Sequence, residues 1–512
     1  MKKQLLFLVL MMLPLAAGAR SIKIDGIFYN LNSADKTAEV AYGGYSGDVV
    51  IPSSVTKDEV DYTVTSIASN AFYNSPMLVS LTIPKSVTTI NYRSNFFYNC
   101  NRLASIIVEE GNPNYDSREN CNALIETASN KLLYGTNNAY IPNSITTIGQ
   151  DAFMGRTGLT SLVIPNSVTS IENGAFARCS GLTSAYIGTG LENFGEIVFD
   201  ECVNLKTIEI NSNAIVSKNY ESGELMNVGA LFAGAAVEEV ILGEDVTSIG
   251  DFAFQRSGMT SVKMSDNVTR IGNNAFWESY LTSIEFSNNL EYIGEWAFAG
   301  CHALSSVTIP ESVKCIDLFA FQWCNALTKV VINSNEVVAR DNEQYYVLPS
   351  CFGRQVKEYV FGEEVRKIAY MAFFESNELT TVTIPGNVAC VEDSAFYNCT
   401  SIADVYCYAE QVPETRKDVF VGSNHTNATL HVPAASIDAY RSAEQWKEFG
   451  NIVAITDDDP KPSMIISTSE DTQIQTIVEC YSIDGKRIGA PQRGLNIVKM
   501  SDGTTRKVRH KN

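Results

Sequence analysis

One phenylalanine, recurring mostly every 21 to 25 residues, constrains this chain more than any other feature. It stands at Phe72, Phe97, Phe153, Phe176, Phe199, Phe232, Phe254, Phe276, Phe298, Phe321, Phe352, Phe373, Phe396 and Phe420, usually after Ala. Such a period marks a solenoid. Each repeat is one coil that cannot bury its own apolar face and must stack on its neighbours.

The clearest copy runs from Leu159 to Phe176, LTSLVIPNSVTSIENGAF. Leu159 to Ile164 is short, apolar and β-branched, and Pro165 ends the strand because it has no N–H and a fixed φ. The same stop recurs at Pro84, Pro142, Pro310 and Pro385. A second short extended piece follows with Val168 and Ile171 on one side, then a tight, helical turn. There Ala175 allows close approach and Phe176 fills the interior. Stacking pairs each strand with its copy in parallel ladders about 4.8 Å apart, so some fourteen coils give a rod on the order of 65 Å long.

The remaining segments read as end modules. Residues 1–19 read as a secretory signal, with Lys2 and Lys3, an apolar run from Leu5 to Leu15, and Ala17-Gly18-Ala19. Residues 20–63 alternate apolar and polar residues around turns and form an N-terminal β cap. The solenoid covers 64–433 and a C-terminal cap covers 434–455, with Ala435 to Phe449 as an amphipathic helix that turns Ile437, Tyr440 and Trp446 inward. Residues 456–473 open with Asp457-Asp-Asp-Pro-Lys-Pro462, a polar linker, and 474–512 form a small β tail. No later stretch is long and apolar enough to cross a membrane as a helix.

Between Phe97 and Phe153 the spacing predicts a bulged coil without the Phe, with extra strands at Cys121 to Glu126, Lys131 to Tyr134 and Ala139 to Ile141. Two other coils are enlarged, and they open alike, Ile210-Asn-Ser-Asn213 and Ile332-Asn-Ser-Asn335. The Phe series from 176 to 298 maps onto that from 298 to 420 with offsets of 119 to 122, so five coils are duplicated with one enlarged coil in each copy. Insertions into solenoid coils gather on one face. The inserts Ser217–Gly229 and Glu336–Pro349 therefore offer Tyr220, Tyr345 and Tyr346 as candidate contact residues, with ordinary loop growth as the alternative.

In the strand pattern L-x-x-V-x-I the third and fifth residues face solvent. The face is mostly Ser and Thr, with Tyr186, Lys263 and Tyr406 as its candidate binding positions. It has no central aromatic anchors, which favours a large, shallow contact over a deep pocket. Six of the twelve cysteines lie three residues after the marker Phe: Cys100, Cys179, Cys202, Cys301, Cys324 and Cys399. Either they are buried small thiols at a tight corner, or neighbours such as Cys179–Cys202 and Cys301–Cys324 are disulfides.

Chemistry is absent from the pattern. The four histidines, His302, His425, His431 and His510, form no metal or catalytic motif, and no nucleotide-binding loop stands in context. The Asp457–Asp459 run lacks the Gly and distal Glu of a calcium loop. The reading is a non-enzyme without metal or cofactor. A net charge of −20, two units more negative without Lys2 and Lys3, argues against nucleic acid as partner.

The recurring L-T-S-V-x-I-P-x-S-V-T-x-I-x-x-x-A-F-x-x-C resembles the BspA-like leucine-rich repeats of bacterial surface proteins, over roughly residues 47–433. The runs 112–122 and Val432-Pro-Ala-Ala-Ser-Ile-Asp-Ala-Tyr440 are similar to that family too. The resemblance implies a β-rich leucine-rich-repeat solenoid, export to the cell surface, outer membrane or extracellular space, and adhesion to host or bacterial proteins or glycans. The tail, with Tyr481-Ser-Ile-Asp-Gly-Lys-Arg487, Gly494-Leu-Asn-Ile-Val498 and Lys507-Val508, is similar to type IX secretion sorting signals. It is shorter than a full sorting domain. Three functions compete: an adhesion or recognition scaffold for extracellular or host proteins, a structural spacer of the envelope, and a glycan-capture protein.

Overall fold

The computed structural model describes residues 21–92, 96–222, 226–340 and 347–463, and the backbone of four strands beyond. The signal segment lies outside the described residues. Residues up to Ser463 form one compact unit and those from Met464 a second.

The first unit is a solenoid of stacked parallel strands with little helix. Its main ladder starts with Ser46–Val50, Met77–Ile83 and Ser105–Val108. It continues in six strands from Ser161–Ile164 to Ser283–Glu285 and seven from Ser306–Ile309 to Asn451–Ala454. Register is strict: Ser161, Ser184 and Thr207 stand in line, as do Val163, Tyr186 and Glu209. A lateral ladder of two-residue strands, such as Ser170–Ile171 and Arg270–Ile271, forms a second side.

The marker rings stack inside. Phe153, Phe176 and Phe199 have centroids 5.0 and 5.3 Å apart, and Phe276, Phe298 and Phe321 repeat this at 5.0 and 4.9 Å. That is close to the spacing of strands in a sheet, so one ring per coil fills the interior without a gap. The phased cysteines are buried free thiols. Each donates to the carbonyl of the preceding marker Phe, Cys179 to Phe153 at 3.1 Å and Cys399 to Phe373 at 3.1 Å. Burial pushes the Cys399 thiol up to about 12, so it stays protonated and a poor nucleophile.

The N-terminal end is closed by a sheet of Ile22–Ile24, Ile27–Asn32, Thr37–Val40, Val60–Ile67 and Ser54–Lys57. Val60–Ile67 also pairs in parallel with the two-residue strand Thr89–Ile90. The coil without a marker Phe holds an antiparallel hairpin, Ala123–Glu126 with Lys131–Gly135. The strand expected at Ala139 to Ile141 is instead irregular: Ala139 N–H closes a turn onto Thr136 and Tyr140 N–H donates to Cys121.

Both enlarged coils replace the lateral strand with a helical turn, Asn213–Val216 and Asn335–Val338. Ser334 caps the second. Its hydroxyl donates to Val313 O at 2.5 Å and accepts from Val337 N–H at 3.2 Å. Ser212 does the same for the first, with Leu191 O and Ile215 N–H. Ser334 is fully buried. Ser334→Ala therefore loses a cap and strands a carbonyl, at an expected cost of about 1–3 kcal/mol. Urea unfolding followed by hydrogen exchange in Asn335–Val338 checks it.

The C-terminal cap is not one helix. A single turn at Ala434–Ser436 runs into the helix Ile437–Ser442; the chain then breaks, and Trp446–Glu448 forms another turn. Tertiary partners override the local periodicity. Tyr440 OH donates to Ala409 O and Trp446 Nε1 to Pro413 O, and Gln445, at φ 63°, makes the corner that lets both rings reach inward. Ile437 is only half-buried. In the second unit Ile477–Ser482 pairs antiparallel with Arg487–Ile488 and Gly494–Met500, and the latter with Thr505–His510.

Candidate recognition surfaces

The outward face of the main ladder carries its side chains in straight columns, because the strands are in register. Along the fifth position of the first copy run Val163, Tyr186, Glu209, Ile241, Lys263 and Glu285. Tyr186 is half-buried, and Lys263 is exposed and paired with Glu285 at 2.7 Å. Lys329 and Glu358 form a second cross-coil pair at 2.8 Å on this face. Such exposed pairs add about 0–1 kcal/mol each and leave the face shallow.

The second copy differs. Its fifth column runs Thr308, Val331, Val360, Thr383, Tyr406 and His431. Val360 is 5 % exposed and Thr383 fully buried, against the expectation that this column faces solvent. The cause lies in the segment read as a linker. Residues 456–463 turn back along the ladder from its last strand. Asp459 approaches His431 Nδ1 at 4.0 Å, Tyr408 OH donates to Pro460 O at 3.0 Å, and Pro462 is buried. Ser463 then pairs with Gly362 in a parallel bridge, its N–H donating to Phe361 O at 3.2 Å. Tyr406 lies along this path, half-buried and stacked on His431 with ring centroids 4.2 Å apart. Burial first, then Asp404 and Asp459, push its phenol up.

Tyr220 is not a contact residue. It is buried inside the first enlarged coil, with its hydroxyl donating to Ile215 O at 2.8 Å. An enlarged coil needs its own core, and this ring supplies part of it. Tyr345 and Tyr346 lie outside the described residues.

A further surface carries no signal in the periodicity. The corner around most marker Phe residues takes left-handed backbone two residues before it, two residues after it, or both. Asn74, Asn99 and Asn398 supply the later position, and Asp151, Asn274 and Asp418 the earlier one, at φ 54–57°. These are the residue types that tolerate that conformation. Trp296 (φ 57°), Phe319 (φ 63°) and Trp323 (φ 60°) occupy the same positions in two adjacent coils. Trp296 stacks on Phe319 at 4.7 Å and meets Trp323 at 5.0 Å. Trp323 is 52 % exposed. A coil earlier, Arg256 lies over Trp277 at 4.8 Å, and Tyr280 is 68 % exposed. Other bulky residues also occupy these corner positions, Ile197, Phe252 and Met371 among them, so the sequence signal that marks this cluster is that Trp296, Phe319 and Trp323 fall at corner positions of two adjacent coils.

Among the described residues no group of three or more His, Cys, Asp or Glu is placed to hold a metal ion, and no helix is long and apolar enough to cross a membrane. His431 faces Asp404 at 3.0 Å, and His425 is buried against Phe420 and Phe449.

The family model of the BspA type leucine rich repeat region matches residues 52–127, 127–222, 229–346 and 341–442, with six copies. No curated protein matches. Among solved structures, a leucine-rich repeat protein from Bacteroides ovatus is 21% identical, with 85% of this chain and 100% of that chain covered and a TM-score of 0.36. A leucine rich cell surface protein from Faecalibacterium prausnitzii is 23% identical, with 75% and 94% covered and a TM-score of 0.31.

Proposed function

We propose that this chain, which belongs to the BspA-type leucine-rich repeat family, is a recognition scaffold that works at the cell surface or outside the cell and adheres to extracellular or host proteins. The observation that carries this reading is the corner cluster of Trp296, Phe319 and Trp323. Large aromatics are the residues that dominate protein interfaces. Left-handed backbone costs a bulky residue about 1–2 kcal/mol, and strain of this kind gathers at functional sites. Other bulky residues such as Ile197, Phe252 and Met371 take the same corner conformation; what sets this cluster apart is that three large aromatics pack together there with Trp323 52 % exposed. The signal-like residues 1–19 and the tail's likeness to a sorting signal fit an exported protein.

The test is a binding screen of the purified protein against extracellular-matrix proteins and a glycan array. The comparison is with a Trp296→Asn/Trp323→Asn variant. Lost stacking, about 0.5–1.5 kcal/mol per pair, and relieved backbone strain oppose each other, so the variant should melt within a few degrees of the parent. Saturable binding to a protein that weakens at least tenfold in the variant is the expected result. Binding to soluble sugars alone would move the reading to glycan capture. No saturable binding at micromolar protein would leave the spacer role.

A further inference from the structure

The segment 456–463 is bound as a ligand would be. In the main ladder, where the residue after a strand is not proline, it donates its N–H to the last strand carbonyl of the preceding coil: Asn333 to Ile309 at 3.0 Å, Gly362 to Ile332 at 2.9 Å, Tyr408 to Ile384 at 2.9 Å. At Pro385 this rung is impossible, because proline has no N–H. Phe361 O is the carbonyl it would have satisfied, and Ser463 N–H takes it. Three more contacts fix the segment: the Asp459 carboxylate by His431, Pro460 O on the Tyr408 hydroxyl, and Pro462 buried. The duplicated coils supply the control. Ile241 and Lys263, the counterparts of Val360 and Thr383, are half-buried and exposed, so burial is not inherent to these positions.

We propose that the ladder face between Gly362 and His431 is a binding track for an extended Asp-Pro-x-Pro segment of a partner protein, held here by the chain's own residues 459–462. This surface is separate from the corner cluster and does not depend on it. The track reads one carboxylate, one carbonyl, one buried proline and one N–H after it. Main-chain pairing supplies affinity and the side-chain positions supply selectivity. The chain's own strap competes with an incoming segment, so the apparent affinity in the intact protein is reduced by the fraction of time the strap is seated.

The probe is a fluorescein-labelled synthetic peptide of residues 455–464, titrated by fluorescence anisotropy into three full-length proteins. The first is unmodified. The second carries Asp459→Ala, Pro462→Gly and Ser463→Pro, which remove the carboxylate, the buried ring and the N–H. The third adds Thr383→Lys, a change the fold accepts because Lys263 occupies the duplicate position. The expected result is at least tenfold tighter binding to the second protein than to the first, lost again in the third. A peptide with both prolines changed to Ala should bind at least tenfold more weakly. Equal or absent binding in the first two proteins, or equal binding of the altered peptide, overturns the proposal. Should the triple variant not fold, hydrogen exchange of the unmodified protein decides. Saturating peptide must speed exchange in residues 456–463, and unchanged exchange overturns the proposal.

Discussion

Phe276→Ala is expected to destabilise the solenoid by about 3–5 kcal/mol. The ring is fully buried and lies between Phe254 at 5.3 Å and Phe298 at 5.0 Å, with interplanar angles of 3° and 5°. Removing it opens a cavity that the neighbours cannot close. The corner backbone is pinned coil to coil, Phe254 N–H to Ala275 O and Phe276 N–H to Ala297 O, both at 2.7 Å. Cys301 Sγ also donates to Phe276 O at 3.4 Å and fixes the carbonyl from the next coil. A site that cannot collapse pays the transfer term and the cavity term together. Because a solenoid couples only nearest neighbours, the damage is local. Amides of coils 254–298 should lose hydrogen-exchange protection while those near Tyr440 and Trp446 keep it, and urea unfolding should separate into two steps. A loss under about 1 kcal/mol would mean that the ring stack does not hold the coils together.

The same stack explains why so much of the fold was legible. Each coil needs one large ring at a pitch near 4.8 Å, so the ring returns in sequence once per coil and fixes the register of everything around it. Lines such as Ser161, Ser184 and Thr207 follow directly, and so does the likeness of the enlarged coils, each opened by a buried serine cap. What escaped the period was set by distant residues. Val360 and Thr383 look like solvent positions until residues some eighty to a hundred further along lie over them. Tyr220 looks like a loop aromatic, but it is buried inside the enlarged coil, where its hydroxyl donates to Ile215 O. The cap from Ala435 has helical periodicity, yet the Trp446 indole finds its acceptor on Pro413, and the helix breaks to reach it. The corner tryptophans obey the period and violate only a backbone preference, which a hydrophobic pattern does not register.

Where the period skips, a different residue does the fitting, and it supplies the second large effect. Gly135→Val is expected to cost about 2–3 kcal/mol. Gly135 ends the hairpin strand of the coil that has no marker Phe, and a Cβ built there would stand 2.1 Å from Cε1 and 2.4 Å from Cζ of Phe153. Real contacts of that kind do not occur, so the ring must move. Its retreat is blocked on the other side by Phe176 at 5.0 Å. The adjoining aromatic place is taken by Tyr134, packed edge-on against Phe97 at 5.2 Å. Gly135 is thus where the aromatic filling passes from Tyr134 back to the marker series, and it is buried with no room for a side chain. A double-mutant cycle with Phe153→Leu measures this. If the clash is the cause, the smaller Leu relieves it, and the two changes together should cost about 0.5–3 kcal/mol less than their sum. Additive losses would instead mean that Gly135 serves the strand's backbone rather than the ring, because a purely conformational penalty at Gly135 does not depend on what occupies position 153.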